Sequence, residues 1–188
     1  MQKSDNPFLL AVILFIITAL ISLLLAFSNN ITKDVIEDNL KKEQQIALNA
    51  VLEADSYAEI VSKSINTAKV VYLAKRGDET VGYCVNAIPS GFGGEIDMMV
   101  GISNDLKVTG IKIISISETP GLGSKVQETS FINQFKDKCE DIKLIKNGTP
   151  KENEIVAISG ATVSSTAVKN GVNDAITAVK MLKEVKNE

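Results

Sequence analysis

Ser159-Gly160-Ala161-Thr162-Val163-Ser164-Ser165-Thr166 stands between a short apolar run, Ile155, Val156, Ala157 and Ile158, and a long stretch of helical period. It reads as the entrance to a helix. The first N–H groups of a helix lack intrahelical partners, and the macrodipole places roughly half a positive charge there, so such an end suits a phosphate. Gly160 and Ala161 keep bulk low where a ligand would approach the backbone, and Thr162 presents a hydroxyl. Position alone supports a plainer reading as well, because Ser and Thr are ordinary N-cap residues and contribute about 1 kcal/mol in that role.

The tetrad Ser159-Gly160-Ala161-Thr162, followed by Ser and Thr, resembles the flavinylation motif of the covalent-FMN-binding domain family. In that family the last Thr of the tetrad is esterified to the phosphate of FMN. The resemblance therefore implies FMN on Thr162, with Ser159, Gly160, Ala161 and Val163 around it. About forty residues earlier, Glu118-Thr119-Pro120-Gly121-Leu122-Gly123 resembles a second segment of the family, that of the G subunit of Rnf-type electron transport complexes and its sodium-pumping quinone-reductase counterpart. Gly91-Phe92-Gly93-Gly94-Glu95-Ile96 resembles the family's Gly-aromatic-Gly-Gly turn. The order of features also matches, from an N-terminal membrane helix through a small mixed domain to a C-terminal helix. Two positions depart from the pattern: Val156 stands where family members usually carry an acidic residue, and Ile116 where many carry a His.

By itself the segment at residues 118–123 is turn chemistry, with Pro120 fixing one φ and the glycines permitting a positive one. The resemblance adds a role against the isoalloxazine ring: apolar contact from Leu122, polar contact from the backbone of Thr119 and Gly121, and Glu118 as a brace for the loop rather than a base.

Composition narrows the chemistry from the other side. The chain has 188 residues and a formal net charge of −3, with Arg76 its only arginine, so no basic surface for nucleic acid is present. It has no histidine, which removes Ser-His-Asp and Cys-His nucleophile systems, HExxH zinc sites and His-ligated haem. Cys84 and Cys139 are far apart and make neither a CxxC motif nor a cluster-binding set. They read as free thiols, Cys84 as a small buried hydrophobe, with a disulfide as the alternative. Electron transfer by this chain requires an organic cofactor, and no metal site is expected.

Residues 8–27, FLLAVILFIITALISLLLAF, are apolar apart from Thr18 and Ser22. About twenty residues at about 1.5 Å each reach about 30 Å, the hydrocarbon thickness of a bilayer. A cleaved signal peptide is the competing reading, but this core is longer than such segments and only Lys3 precedes it. Lys3 on one side against Lys33, Lys41 and Lys42 on the other leaves the positive-inside rule nearly silent. The resemblance places the C-terminal domain on the extracytoplasmic side of the bacterial cytoplasmic membrane.

Residues 31–60 are rich in Glu, Lys, Gln, Ala and Leu without Pro or Gly, and predict a helix continuing from the membrane. After Lys63 the period becomes alternating. Strands are predicted through Val70 and Leu73, through Val81, Tyr83, Val85 and Ala87, and through Ile96, Met98 and Val100. Another starts at Leu106 and changes parity at Gly110, which marks a bulge. Short helical and extended pieces follow at residues 131–136 and 142–145. Val168, Val172, Ala175, Ile176, Val179 and Leu182 form the stripe of a last helix.

The expected fold class is α+β: an N-terminal transmembrane helix, then a small mixed domain with an antiparallel, bulged sheet and flanking helices. Residues 1–6 form a cytoplasmic tail, 7–28 the transmembrane helix, 29–66 a juxtamembrane helical connector and 67–188 the covalent-FMN-binding domain. The resemblance implies a membrane-anchored electron-transfer subunit of an Rnf-type complex coupling ferredoxin/NAD electron transfer to ion translocation. It would be redox-active within the assembly rather than catalytic alone. Its partners would be the other membrane subunits and a flavin transferase that uses FAD. Two alternatives are the FMN subunit of a sodium-translocating quinone reductase and a non-redox, membrane-tethered assembly subunit.

Overall fold

A computed structural model describes residues 7–60, 65–139 and 141–186. The chain divides into two compact units, Met1–Lys42 and Glu43–Glu188. Helix α1, Pro7–Val51, runs through the first and ends in the second. Its segment Pro7–Lys33 is long and apolar enough to cross a membrane, and its large apolar side chains, among them Phe15 and Leu23, are exposed. Thr18 Oγ1 donates to the carbonyl of Leu14 at 3.0 Å, which satisfies a hydroxyl within the apolar run.

In the second unit five antiparallel strands follow one another in space as in sequence: β1 Ser56–Ile60, β2 Ala68–Arg76, β3 Glu79–Ala87, β4 Ile96–Ser103 and β5 Val108–Ile116. Alternation assigns their side chains to two layers. Val71, Tyr83, Val85, Met98, Val100 and Ile113 meet Val168, Val172 and Ile176 of the C-terminal helix α3, Thr162–Lys186. Phe131 and Phe135, from short helical turns after β5, close the same core edge to face, with ring centroids 5.5 Å apart. Ala74, Cys84 and Met99 face the other way and are covered by Ala47, Leu48 and Val51 from the end of α1. Both faces of the sheet are therefore buried, and the expected α+β class is what the chain adopts.

The end of α1 lands where side chains are absent. Gly101 pairs with Gly110 across β4 and β5, and a Cβ on Gly101 would lie 2.4 Å from the carbonyl oxygen of Val51. That carbonyl, an orphan of the helix terminus, accepts from Thr109 Oγ1 at 2.6 Å. The register slips at this point, between Gly101 and Ile102, so the bulge expected at Gly110 is present, with the extra residue at Thr109. A second slip occurs between Asp97 and Met98, just before the strand leaves for residues 118–123. Strand β5 begins at Val108 rather than at Leu106, which turns at φ 61°.

Residues 31–60 are not helical throughout. The helix stops at Val51, and Ser56–Ile60 form β1, paired with β2 from Ser56↔Lys75 to Ile60↔Val71. Helix-favouring composition loses here to tertiary pairing, because β2 would otherwise leave an edge of unpaired backbone groups. Tyr57 secures the turn by donating to the Leu52 carbonyl at 2.7 Å, and Asp55 Oδ2 accepts from the N–H of Gly77. The expected tail at residues 1–6, and Lys63 where the period was expected to change, lie outside the described residues.

A small parallel pair, β6 Lys143–Ile145 and β7 Glu154–Val156, completes the unit. The extended piece expected at 142–145 is β6, whereas the apolar run before Ser159 supplies a second strand that was not expected. Between β5 and β6, the helical piece expected at 131–136 is a four-residue helix, α2 Thr129–Ile132, continued by a 3-10 turn Asn133–Phe135.

Cys84 and Cys139 are both free thiols. Burial in the layer under α1 pushes the Cys84 thiol up to about 12, whereas Cys139 is partly exposed. Iodoacetamide at pH 8 should therefore modify Cys139 within minutes and leave Cys84 untouched until denaturant is added. Peptide mass spectrometry reads both. Labelling of Cys84 in the native protein would contradict its burial.

Candidate functional site

Helix α3 starts without a side-chain cap. Ala161 occupies the N-cap position and Thr162 is the first helical residue, so the plain cap reading of the Ser and Thr cluster does not describe this terminus. Ser165 instead fastens the preceding loop: its hydroxyl accepts from the N–H of Ile158 at 3.1 Å and donates to the carbonyl of Ala161 at 2.8 Å. The first intrahelical bond is Ser165 N–H to Ala161 at 2.9 Å. Among the described residues, nothing accepts from the N–H groups of Thr162, Val163 or Ser164, and the Thr162 hydroxyl has no partner. Three donors and one exposed hydroxyl thus converge on one open helix end.

Gly160 precedes it at φ +78°, a conformation that disfavours side chains, and a Cβ there would lie 3.0 Å from Leu122 Cδ1. Leu122 belongs to the loop after β5, so the two motif segments, about forty residues apart in sequence, touch. Their contact forms one wall of a cavity of about 290 Å³. It is lined by Glu118, Thr119, Leu122 and Gly123 on one side, Gly160, Ala161, Thr162, Val163 and Ser164 on the other, and Phe92 at the mouth. Phe92, Leu122 and Val163 are 76%, 45% and 52% exposed, which is unusual for large apolar side chains gathered in one place and fits a planar ligand that covers them.

Glu118 holds the mouth together. It is buried, and its Oε1 accepts from the N–H of Phe92 at 2.6 Å. A Cβ on Gly91 would collide with Oε1 and one on Gly123 with Oε2, at 2.0 and 2.4 Å, so both glycines are needed for the carboxylate to fit. The Gly-aromatic-Gly-Gly turn and the loop after β5 are therefore locked to each other through one side chain.

Of the residues expected at the site, Glu118, Thr119, Leu122, Gly160, Ala161, Thr162 and Val163 line the one cavity. Ser159 faces an adjoining one together with Gly160 and Thr162. Gly121 lines neither. It turns at φ +75° and gives its N–H to Ser124 Oγ, while the Thr119 carbonyl accepts from the N–H groups of Leu122 and Ser124. The Thr119 carbonyl and the Gly121 N–H are thus engaged within their own loop. Phe92, Gly123 and Ser164 line the cavity without having been expected there. The Gly91–Gly94 motif was a visible signal for Phe92, whereas nothing local marks Ser164 as facing a ligand rather than the core.

An open helix end, a glycine-lined approach to Thr162 and an apolar slot beside it fit a flavin mononucleotide: donors for its phosphate, flat apolar contact for its ring. Comparison with known proteins points the same way. The FMN-binding domain family matches residues 91–177. Over 187 residues the chain is 40% identical to the G subunit of the Na(+)-translocating ferredoxin:NAD(+) oxidoreductase complex of Acetobacterium woodii, covering 90% of this chain and 89% of that one. It is 31% identical over 184 residues to the G subunit of the ion-translocating oxidoreductase complex of Methanosarcina acetivorans, covering 94% and 96%. The crystal structure of Shewanella oneidensis NqrC shares the fold with a TM-score of 0.52 at 20% identity, over 68% of this chain and 66% of that one.

Proposed function

The chain belongs to the G-subunit family of Rnf-type ion-translocating oxidoreductase complexes, and from that premise we propose that it carries FMN as a phosphodiester on Thr162. The observation that supports this most directly is the Thr162 hydroxyl, exposed and unpartnered beside three free N–H groups at a helix start. In the attachment step the Thr162 oxygen forms a bond to the FMN-side phosphorus of FAD. The P–O–P bridge breaks, AMP leaves, and the hydroxyl proton passes to a base of the flavin transferase. The N–H groups of residues 162–164 and the helix dipole hold the resulting anion.

Bound flavin supplies one-electron transfer, which no side chain of this composition can perform. The protein's part is placement. Leu122, Val163 and Phe92 offer apolar surface to the ring, and Glu118 keeps the two loops that carry Leu122 and Phe92 in register. The protein is anchored in the membrane by α1, and its electron donors and acceptors are the other subunits of the complex. The flavin domain lies on the extracytoplasmic side, where a covalent link prevents loss of a cofactor that is not readily replaced. Relatives matched over nearly the whole chain are Rnf-type subunits, which favours that assembly over a quinone reductase, whose likeness is one of fold alone.

The test is intact mass and in-gel fluorescence after denaturation, on protein co-expressed with its flavin transferase. One FMN less one water, mapped to the peptide holding Thr162, is the expected result. Unmodified mass with a transferase active on another substrate would instead favour a non-redox assembly subunit. A ring-contact variant extends the test: Leu122→Ala should leave attachment complete but shift the flavin absorption bands or midpoint potential, and an unchanged spectrum and potential would remove Leu122 from the ring contact.

A further inference from the structure

Thr162 stands on a ridge between two cavities of different character. The larger is apolar and holds Phe92, Leu122 and Val163; the smaller, about 170 Å³, is mixed, with Lys146, Asn147 and Ser159 beside Ala157 and Ile158, and with Gly160 and Thr162 shared between the two. Lys146 is the one charged side chain among the described residues that line the smaller cavity, and among the described residues it has no ion pair or hydrogen bond. Its position follows from topology. Strands β6 and β7 are parallel, so both deliver their C-terminal ends to one edge, and the Ile145 carbonyl accepts from the N–H of Ala157 at 2.8 Å. Lys146 is the next residue after that bond on the β6 side, and the loop to Thr162 leaves from β7.

Resting on the reading of Thr162 as the flavin attachment point, we infer that the Lys146 cavity is the phosphate subsite, with Lys146 as the cation that selects phosphorylated flavin over riboflavin. The apolar cavity takes the ring, and the phosphate is shared between the N–H groups of the helix start and the Lys146 cavity that adjoins it. Thr162 lies between them, where the ester oxygen must be. A lysine ammonium on a flexible stem suits this site because it follows the phosphate both before attachment, as part of a flavin nucleotide, and after it, as a diester monoanion. The surface location makes the attraction modest and salt-dependent.

The experiment uses the full chain in detergent, expressed without a flavin transferase, and compares binding of FMN and riboflavin by flavin fluorescence. Wild-type protein should prefer FMN, and the preference should shrink as salt rises from about 0.01 M to about 0.3 M. Lys146→Gln should weaken FMN about threefold to fivefold, Lys146→Glu more, and Lys146→Arg should retain the preference. Riboflavin affinity should be the same in all four proteins, which a merely structural role for Lys146 would not produce. A preference for FMN unaltered in Lys146→Glu, an equal loss of both ligands, or no preference in the wild type would overturn the subsite while leaving the ring cavity standing. Failure of wild-type protein to bind either flavin would overturn Lys146 as the group that selects the nucleotide, whereas the covalent reading stands or falls on the intact-mass test alone.

Discussion

Thr162→Val yields protein with no covalent flavin at all: the mass adduct disappears, and the denatured band loses its fluorescence. The effect is all or none because the substitution removes the only atom through which the ester could form while keeping the shape of the side chain. The fold should survive nearly unchanged, with melting within a few degrees of the unmodified wild type. Thr162 is exposed, its hydroxyl supports no other group, and the contact it makes to Thr166 runs through its backbone carbonyl, at 2.7 Å. Ser165, not Thr162, holds the loop before the helix. Retention of covalent flavin in this variant would move the attachment to another hydroxyl, with Ser164, Ser159 and Ser165 the nearest in sequence.

The second large effect is structural and divides two roles for Glu118. Glu118→Ala removes the acceptor for the Phe92 N–H and empties the space between Gly91 and Gly123. The loss of a charge-assisted bond and of packing at a buried position should cost about 2–3 kcal/mol and release the turn at residues 91–94. Glu118→Gln keeps the shape and one acceptor oxygen, so it should recover most of the stability and of the flavin's spectrum. Urea denaturation and the absorption spectrum of flavinylated protein measure the two. A base would show a different pattern, with Gln as damaging as Ala to turnover of the complex even though Gln keeps the stability.

Much of this molecule is legible along the chain because local chemistry specifies it. Twenty residues, all apolar but Thr18 and Ser22, make an anchor whatever follows. The alternation of Tyr83, Val85 and Ala87 makes a strand, and the stripe from Val168 to Leu182 makes a helix. The residues around Thr162 were legible through resemblance, since a hydroxyl cluster at a helix start is by itself indistinguishable from a cap. Conversely, Ser56–Ile60 carried a composition that suits a helix, and only the free edge of β2 made it a strand.

By itself the sequence determined the anchor, the periods of the strands and last helix, the absence of any histidine or cysteine chemistry that could move electrons, and the two motif segments. Tertiary structure alone decided what meets what. Leu122 against Gly160, Glu118 between Gly91 and Gly123, the end of α1 on Gly101, and Lys146 beside the loop to Thr162 each join positions from distant parts of the chain or from separate elements. The physical reason is that periodicity and capping are set by neighbours within a few residues. Proximity across the site is set by strand register, by a bulge at Thr109 and by the parallel pairing of two three-residue strands, none of which leaves a local mark.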